Sequence, residues 1–370
     1  MKKRAKKSRE VELDEQSEEL ELGGTLTTPP VEELLIEQTV EPAARVGTLT
    51  VGRGQLARHV AAAWTSAKVD CFVLDSYHAE RIREAEPVPA NLSVCCAADW
   101  PSEQYDLVYA PLRRRESAEL NRDLLQDAFH RLRIGGELLV GIDSLDHPAL
   151  LAELREWARP VAQSSDVRGA VYRLRKESEL KRVRNFRCEV VFRDRERLLK
   201  LLTRPGVFSH RQIDPGARQI LKAVDEIRGR KLLDLGCGSG AIAVALAARD
   251  PGLQVWAVDS HARAVEATRI AAELNELENL QVVLTHTAEV PDPGSFDLVT
   301  CNPPYFADFE IARRFLDGAV RALKPGGDCI LVTKLPNWYR EHAGQWLEDV
   351  ETWASGNYHL VRGAAREVRI

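Results

Sequence analysis

The sequence lacks the features that mark membrane-spanning, secreted and zinc-binding proteins. No apolar run approaches the roughly 20 residues of a transmembrane helix. The charged start at Lys2–Arg4 predicts no signal peptide, and no membrane partner is expected. The seven cysteines form no C-x-x-C pair and no His/Cys ligand spacing, so no metal site is predicted. Scattered thiols in odd number favour a cytoplasmic location over a disulfide framework.

The chain has enough apolar residues for two domains, and its excess charge lies at one end. It contains 370 residues, of which 44% are apolar and 29% are charged, as is typical of globular proteins. Residues 1–41 hold 6 basic and 11 acidic side chains, which accounts for the net charge of −5. With basic residues first and acidic residues after them, this segment is predicted to be a disordered tail. It can serve as a basic arm for nucleic acid or as a solubilising segment.

A second charged feature lies in the middle of the chain. From Arg173 to Arg204 there are 12 basic and 5 acidic residues, with phenylalanines between them. Basic side chains beside aromatic rings suit a phosphate backbone with unstacked bases, although a solvated surface near a domain boundary has the same composition. Arg184, Phe186 and Arg187 are therefore candidate RNA contacts.

Short apolar runs alternate with helical patterns in the second half of the chain. Lys231–Leu235 is predicted to be a strand, followed by a glycine-rich loop at Gly236–Gly240 and an apolar helix at Ala241–Ala248. Strands that alternate with helices indicate β-α-β units and a parallel sheet, so an α/β fold is predicted.

The first half repeats this pattern in a weaker form. Gly52 and Gly236 open matching loops, Asp75 and Asp259 end matching strands, and both pairs lie 184 residues apart. A constant spacing between matching features indicates a tandem duplication of one domain. The predicted divisions are a tail at 1–41, a first domain at 42–175, a basic linker at 176–204 and a second domain at 205–370.

The glycine-rich loop of the second half has the form D-x-G-x-G-x-G, from Asp234 to Gly240. The dinucleotide-binding pattern places its third glycine one position later, and a Walker loop requires a Gly-Lys-Ser/Thr that is absent here. The three glycines allow the backbone to pass close to an uncharged ligand. Asp259, at the end of the second strand, is placed to accept both hydroxyls of a ribose. These residues predict a ligand that carries a ribose.

The segment Asn302-Pro303-Pro304-Tyr305 follows a predicted buried strand, where ligands of such sheets bind. An amino group on a base or an amide is a poor nucleophile because its lone pair is delocalised. The Asn302 side-chain oxygen and the Pro303 carbonyl can each accept one N–H and so align the nitrogen for attack. The prolines stiffen the backbone, and Tyr305 supplies a ring for stacking on the substrate. The segment therefore predicts alkylation of a planar amine.

With these two motifs, and with Pro205-Gly206-Val207-Phe208-Ser209 ahead of them, the second half resembles the class I S-adenosylmethionine-dependent amino-methyltransferases. A tandem pair with a degenerate first copy is similar to the bacterial ribosomal RNA guanine-N2 methyltransferases. The resemblance implies two tandem Rossmann-like domains with mostly parallel seven-stranded sheets after the disordered tail. It also implies that the second copy binds S-adenosylmethionine and methylates the N2 amine of a guanine in ribosomal RNA or a ribosomal subunit.

The resemblance also assigns residues to the site. Thr287 lies where many relatives carry Asp or Asn near the adenine of the cofactor. The implied cofactor-binding residues are Asp234, Gly236, Gly238, Gly240, Asp259 and Thr287. The implied catalytic residues, which would hold the guanine, are Asn302, Pro303, Pro304 and Tyr305.

The first copy lacks the residues that this chemistry requires. Leu56 replaces the third loop glycine, and Ala110-Pro111-Leu112-Arg113 stands in place of N-P-P-Y, with neither an amide acceptor nor a stacking ring. We expect this copy to bind no cofactor and to help hold RNA, and we expect Asp75 to have no part in cofactor binding. Its candidate RNA contacts are Arg113, Arg114 and Arg115.

Three other functions stay open at the level of sequence. An N-P-P-Y segment also fits N5-glutamine methyltransferases that act on release factors, although their first domain is small and helical. It also fits DNA-adenine methyltransferases, although no target-recognition domain is evident. The third alternative is a non-catalytic RNA-binding assembly factor, against which the intact second loop argues. For each of these functions we expect a monomer.

Overall fold

The first half of the chain forms a seven-stranded sheet between two layers of helices. The structure, a computed structural model, describes residues 27–85, 87–224, 229–287, 290, 292–304 and 309–366. The strands of this sheet are β1 (Arg45–Thr48), β2 (Lys68–Val73), β3 (Leu92–Cys96), β4 (Tyr105–Leu112), β5 (Leu132–Ile142), β6 (Pro160–Asp166) and β7 (Gly169–Arg175). The helices around it are α1 (Pro30–Ile36), α2 (Gln55–Ala63), α3 (Ser76–Glu84), α4 (Ala118–Arg131) and α5 (Pro148–Trp157).

The strand order of this sheet is β3-β2-β1-β4-β5-β7-β6. Strands β1 to β5 are parallel, whereas β6 and β7 form an antiparallel pair at one edge. Parallel neighbours need a crossover connection, which the helices provide. Alternate residues of β4 face opposite helix layers, so Leu107 and Val108 belong to different apolar cores.

The second half repeats the same sheet. Its order is β12-β11-β10-β13-β14-β16-β15, which matches the first sheet strand for strand. A separate hairpin of β8 (Cys188–Asp194) and β9 (Arg197–Thr203) comes first. The strands of the sheet are β10 (Lys231–Leu235), β11 (Gln254–Asp259), β12 (Leu280–Leu284), β13 (Phe296–Cys301), β14 (Leu323–Thr333), β15 (Leu347–Ser355) and β16 (Tyr358–Ala365). The helices are α6 (Pro215–Ala223), α7 (Ala241–Arg249), α8 (Ala262–Leu274), α9 (Phe309–Ala322) and α10 (Pro336–His342). The predicted fold of two tandem α/β domains is confirmed.

The predicted tail at 1–41 extends too far. Residues 1–26 lie outside the described residues, but α1 packs on the first domain, and its Glu32 is 0% exposed. The Glu32 carboxylate accepts hydrogen bonds from the Val51 N–H and the Leu56 N–H, both at 2.9 Å. Composition treats Glu32 as a solvated charge, whereas the fold uses it to satisfy backbone donors of the first glycine loop.

The predicted basic linker at 176–204 is also too long. Lys176 is buried and donates to the His130 and Leu132 carbonyls at 3.0 and 2.8 Å, so the first domain includes it. The β8–β9 hairpin places Phe192 and Leu201 in a core of the second domain. The second domain therefore begins near residue 188, because the apolar residues of the hairpin alternate with its basic ones along the strands.

A buried ion network joins the two copies. Arg204, just after β9, contacts Asp99 and Asp123 of the first copy at 2.5 and 3.2 Å and Glu266 of α8 at 3.1 Å. Arg263 is 0% exposed and contacts Asp123 at 2.7 Å. Removing Asp123 would take away the carboxylate that contacts the buried Arg263, so this network stabilises the relative position of the copies. Within the described ranges, no helix is long and apolar enough to cross a membrane.

Candidate functional site

The glycine-rich loop of the second copy connects β10 to α7 at the carboxyl edge of the sheet. Gly236, Gly238 and Gly240 have φ values of +76°, +55° and +81°, a region that favours glycine. A Cβ at Gly236 would lie 2.9 Å from the Phe315 ring, and a Cβ at Gly240 would lie 2.8 Å from the Thr268 hydroxyl. The loop thus requires glycine for its backbone conformation at all three positions and for packing against Phe315 and Thr268 at Gly236 and Gly240.

Asp234 lies beneath this loop rather than on its surface. It is 1% exposed, and its carboxylate accepts hydrogen bonds from the Thr300 hydroxyl at 2.9 Å and the Ala243 N–H at 3.2 Å. Burial raises the pKa of Asp234 to about 7. The family resemblance implies that Asp234 contacts the cofactor directly, but the side chain is too buried for that contact. Asp234 instead fixes the start of α7 against β13.

Asp259 ends β11 beside the loop, as the sequence predicts. Its Oδ2 accepts a hydrogen bond from the Gly238 N–H at 2.8 Å, and its Oδ1 accepts from the His261 N–H at 2.8 Å. Burial raises the pKa of Asp259, the two N–H groups lower it, and the nearby charge of Asp75 raises it further. Asp259 as a residue is partly exposed, and each carboxylate oxygen accepts only one of these two bonds, so it has lone pairs left for a ligand over the loop.

Asn302 follows β13, the neighbour of β10, and its side-chain amide is held in one orientation. Its Nδ2 donates to Asp214 Oδ2 at 2.9 Å, and the same oxygen accepts from the Ala217 N–H at 2.9 Å as the N-cap of α6. A carboxylate only accepts hydrogen bonds, so the amide must turn its nitrogen towards Asp214 and its oxygen the other way. Pro303 and Pro304 follow directly, and Tyr305 lies outside the described residues.

The switch in strand order brings these elements together. Because β10 lies between β11 and β13, the loops after all three strands meet at one crevice, the usual ligand site of open α/β sheets. The glycine loop, Asp259 and Asn302 therefore share one site. Thr287 follows β12 at the same edge, where its carbonyl accepts from Arg321 Nη2 at 3.0 Å.

Two aromatic side chains that the sequence motifs do not assign to the site border the glycine loop. Phe315 of α9 lies against Gly236, and Phe208 lies against Gly238 and is 48% exposed. An exposed ring next to a ligand loop can cover an apolar or planar part of the ligand. The only sequence signal for either residue is the Pro205–Ser209 segment, which contains Phe208.

The candidate RNA contacts have different surroundings. Arg113, Arg114 and Arg115 are exposed on the loop between β4 and α4. Arg184 and Arg187 are exposed too, and Arg187 contacts Glu266 at 3.1 Å. The prediction for Phe186 is wrong, because its ring is 8% exposed and cannot stack on a base. Aromatic rings between basic residues are often core residues of a strand or turn, and local composition does not distinguish the two cases.

The polar groups of the site are loop N–H groups, one carboxylate and one oriented side-chain amide. Among the residues that the structure describes, no three His, Cys, Asp or Glu side chains form a group that could hold a metal ion. The glycine cradle, a carboxylate beside it and an oriented amide fit a nucleoside-containing cofactor next to a planar amine. A binding site for S-adenosylmethionine would use Asp259 for the ribose hydroxyls and the loop backbone for the remainder.

Comparison with known proteins gives the same domain type. Residues 198–362 match the family described as Methyltransferase small domain. The ribosomal RNA small subunit methyltransferase C of Hahella chejuensis is 36% identical over 172 residues, which are 44% of this chain and 50% of that protein. The protein of the same name from Klebsiella pneumoniae is 36% identical over 138 residues, or 36% of this chain and 40% of that one. The chain spans half or less of the length of these curated relatives.

A solved structure matches both halves of the chain. The T. thermophilus 16S rRNA N2-guanine methyltransferase, solved with AdoMet and guanosine, aligns with a TM-score of 0.72. The alignment covers 91% of this chain and 92% of that one at 22% sequence identity. At this identity the likeness concerns the fold, and its coverage extends that fold to the degenerate copy as well.

Proposed function

We propose that the chain, whose residues 198–362 match the methyltransferase small domain family, is a ribosomal RNA guanine-N2 methyltransferase that methylates the N2 amine of a guanine in ribosomal RNA. The cofactor is S-adenosylmethionine, whose sulfonium makes its methyl group electrophilic. The observation that carries the proposal is the amide of Asn302, which Asp214 orients beside the glycine loop.

This geometry supplies what a guanine amine lacks as a nucleophile. The N2 lone pair is delocalised into the purine ring, so the nitrogen must be held with its lone pair towards the methyl group. Asn302 Oδ1 and the Pro303 carbonyl can accept the two N–H groups and so impose that orientation. The nitrogen becomes acidic as it is alkylated, so a hydrogen-bond acceptor or water can take the proton. A charged base is not required.

Two of the neighbouring histidines, His261 and His210, are poorly suited to general-base catalysis. Burial lowers the pKa of His261 to about 4, which leaves the ring neutral and weakly basic. Burial also lowers the pKa of His210, whose Nδ1 lies 2.9 Å from the Thr203 hydroxyl. We propose that catalysis depends on orientation and exclusion of water by Asn302, Pro303, Pro304 and Tyr305.

The direct test is nucleoside analysis of treated RNA. Purified chain, S-adenosylmethionine, and either naked rRNA or ribosomal subunits from a strain that lacks the gene are incubated together. We expect N2-methylguanosine at one position after digestion and mass spectrometry. Methylated adenine, methylated glutamine in a release factor, or no product on either RNA substrate would contradict the proposal.

The proposed division of labour follows from the two copies. Glu32 already bonds the Val51 and Leu56 N–H groups of the first copy, so cofactor binds to the second copy alone. The expectation that Leu56 replaces the third loop glycine is wrong, because Gly54 is the N-cap of α2 as Gly240 is of α7, and Thr50 stands in place of Gly236. The first copy instead offers Arg113, Arg114 and Arg115 to RNA. Helix α4, which follows them, contacts the second copy through Glu119, whose Oε1 lies 3.0 Å from Arg211 Nη2.

Replacing Arg113, Arg114 and Arg115 by alanine is expected to raise the KM for RNA and leave the cofactor Kd unchanged. Each phosphate contact releases counterions, so affinity falls with salt. Losing three contacts should make the slope of log affinity against log salt less steep by about 2 for single-stranded RNA. The measurement is RNA binding at several salt concentrations.

The matched control for this variant removes three exposed basic residues of the hairpin, Arg193, Arg197 and Lys200. These residues belong to the basic segment at 173–204, but they lie near the hairpin turn, where Asp194 contacts Arg249 at the end of α7 that is remote from the glycine loop. The control should retain the wild-type slope. Equal losses in the two variants would show that only net charge matters.

Asp214→Ala is expected to lower the rate about tenfold or more, because the Asn302 amide is then free to rotate. The loss of an N-cap should also cost about 1 kcal/mol of stability. His147→Ala is the control, since His147 Nδ1 caps α5 by accepting from the Leu150 N–H at 3.1 Å, far from the site. It should lower the Tm without lowering kcat. A wild-type kcat in Asp214→Ala would mean that Asn302 does not need this support.

The alternative functions have less support. The first half is an α/β copy rather than a small helical domain, which argues against the release-factor methyltransferases. An intact glycine loop with an oriented amide argues against a non-catalytic assembly factor. We further propose a monomer in the cytoplasm, where the free thiols of all seven cysteines are stable.

A further inference from the structure

A carboxylate of the degenerate copy contacts the cofactor side of the catalytic copy. Asp75 follows β2 and corresponds in the repeat to Asp259, which lies 184 residues further on. Asp75 Oδ2 accepts a hydrogen bond from the Ser260 hydroxyl at 2.6 Å, and its Oδ1 caps α3 by accepting from the Tyr77 N–H at 2.8 Å. The duplicated acid is therefore bonded to the residue that follows Asp259.

Two backbone hydrogen bonds reinforce this contact. The Ser76 N–H donates to the Ser260 carbonyl at 2.8 Å, and the Ala262 N–H donates to the Leu74 carbonyl at 2.7 Å. The segments that follow β2 and β11 thus form a short antiparallel bridge between the copies. We refer to the Asp75–Ser260 hydrogen bond and these two backbone bonds as the inter-copy clasp.

The clasp acts on the same residues that orient Asp259. Asp259 Oδ1 accepts from the His261 N–H at 2.8 Å, and His261 lies between two residues that bond to the first copy. Because the clasp fixes the backbone on both sides of His261, it also fixes the direction of this N–H. The orientation of the Asp259 carboxylate depends on that direction.

Helix α3 also contacts the loop after β12. Glu80 Oε2 lies 2.7 Å from His286 Nε2, and the Tyr77 ring meets the His286 ring edge-on at 5.6 Å between centroids. His286 directly precedes Thr287. Arg314 of α9 lies over the Tyr77 ring at 5.6 Å, so α3 contacts both the loop after β12 and the helix whose Phe315 lies against Gly236.

We propose that Asp75 is a positioning residue for the cofactor site, because its bond to Ser260 holds the Asp259 carboxylate in place for the ribose hydroxyls. The inference rests on the proposed function for the identity of the cofactor, S-adenosylmethionine. The degenerate copy thereby sets the cofactor affinity of the catalytic copy. The expectation that Asp75 has no part in cofactor binding is replaced by this assignment.

The test is calorimetric titration of S-adenosylmethionine into the full-length chain. Ser260→Ala removes only the hydroxyl and leaves Asp75 as the cap of α3. We expect its Kd to rise about tenfold, as for the loss of one hydrogen bond to a charged group. Ser260→Thr keeps a hydroxyl and should keep the wild-type Kd. The double variant should bind no more weakly than Asp75→Ala, because without the carboxylate the Ser260 hydroxyl has no bond across the copies left to lose.

Asp106→Ala is the matched control within the first copy. The Asp106 carboxylate accepts from the Ala44 and Arg45 N–H groups and pairs with Arg133, all inside that copy. Its removal should lower the Tm measured without cofactor and leave the Kd unchanged. A Kd raised as much by Asp106→Ala as by Ser260→Ala would overturn the proposal, as would wild-type binding by Ser260→Ala.

The outcome is separate from that of the proposed function. A chain that binds S-adenosylmethionine with this dependence on Ser260 but methylates no guanine would contradict the proposed substrate and support the clasp. If the chain produces N2-methylguanosine while the Ser260→Ala variant binds S-adenosylmethionine with the wild-type Kd, the proposed substrate is supported and the role of the clasp is contradicted.

Discussion

Asn302→Ala is expected to lower the rate of methyl transfer about 10²- to 10³-fold while S-adenosylmethionine still binds with wild-type affinity. The magnitude is taken from the loss of one preorganised hydrogen-bonding group in an oxyanion hole, which has a comparable effect on rate. The methyl group is already activated by the sulfonium, so the protein contributes mainly by aligning the amine. Single-turnover kinetics on RNA and calorimetry with the cofactor measure the two quantities separately.

The control for Asn302→Ala is Asn275→Ala. Asn275 caps the far end of α8, where its Nδ2 donates to the Lys200 carbonyl at 2.7 Å. Its loss should reduce the free energy of unfolding and leave the rate per folded molecule unchanged. If Asn302→Ala turned over at the wild-type rate, the segment after β13 would be only a turn, and the proposed mechanism would be wrong.

Asp259→Ala is expected to weaken cofactor binding about 100-fold or more. A carboxylate that accepts two ribose hydroxyls makes two charge-assisted hydrogen bonds, each worth about 1.5–3 kcal/mol, and about 1.4 kcal/mol changes Kd tenfold. The change also leaves the Gly238 and His261 N–H groups without their acceptor, which loosens the loop. Calorimetry on the full-length chain measures the effect.

Asp292→Ala is the control for this prediction. Asp292 lies on the surface and pairs with Lys231 at 3.0 Å, at the start of β10 and so at the opposite edge of the sheet. Exposed pairs contribute little to stability, so both the Tm and the Kd should stay near wild type. A wild-type Kd in Asp259→Ala would place the ribose elsewhere and remove the basis of the inter-copy clasp proposal.

The sequence could predict the repeated architecture because the signals are local. The predicted strand Lys231–Leu235 has the same bounds in the structure, and the helix predicted at Ala241–Ala248 extends one residue further to Arg249. Apolar runs between glycine-rich loops determine these elements, and the positive φ values at Gly236 and Gly240 favour glycine. The constant spacing of 184 residues between matching motifs then implied the second sheet.

The roles of charged and aromatic residues were harder to predict. Composition places Glu32 in a solvated tail and Phe186 on an RNA-binding surface, yet both are buried. Composition reports which groups are present in a segment, but not which surface they meet after folding. A buried carboxylate is tolerated here because backbone N–H donors are available to it, and only the folded chain brings those donors together.

The sequence by itself determined the two-copy α/β fold, the intact and the degenerate glycine loops, and the position of Asn302 after a buried strand. Only the tertiary structure decided that Asp214 orients Asn302 from 88 residues away and that Asp75 bonds Ser260 from 185 residues away. A motif is a run of neighbours in the chain, so its backbone conformation follows from its own residues. A hydrogen bond between distant side chains depends on how the sheets and helices pack, which no local pattern encodes.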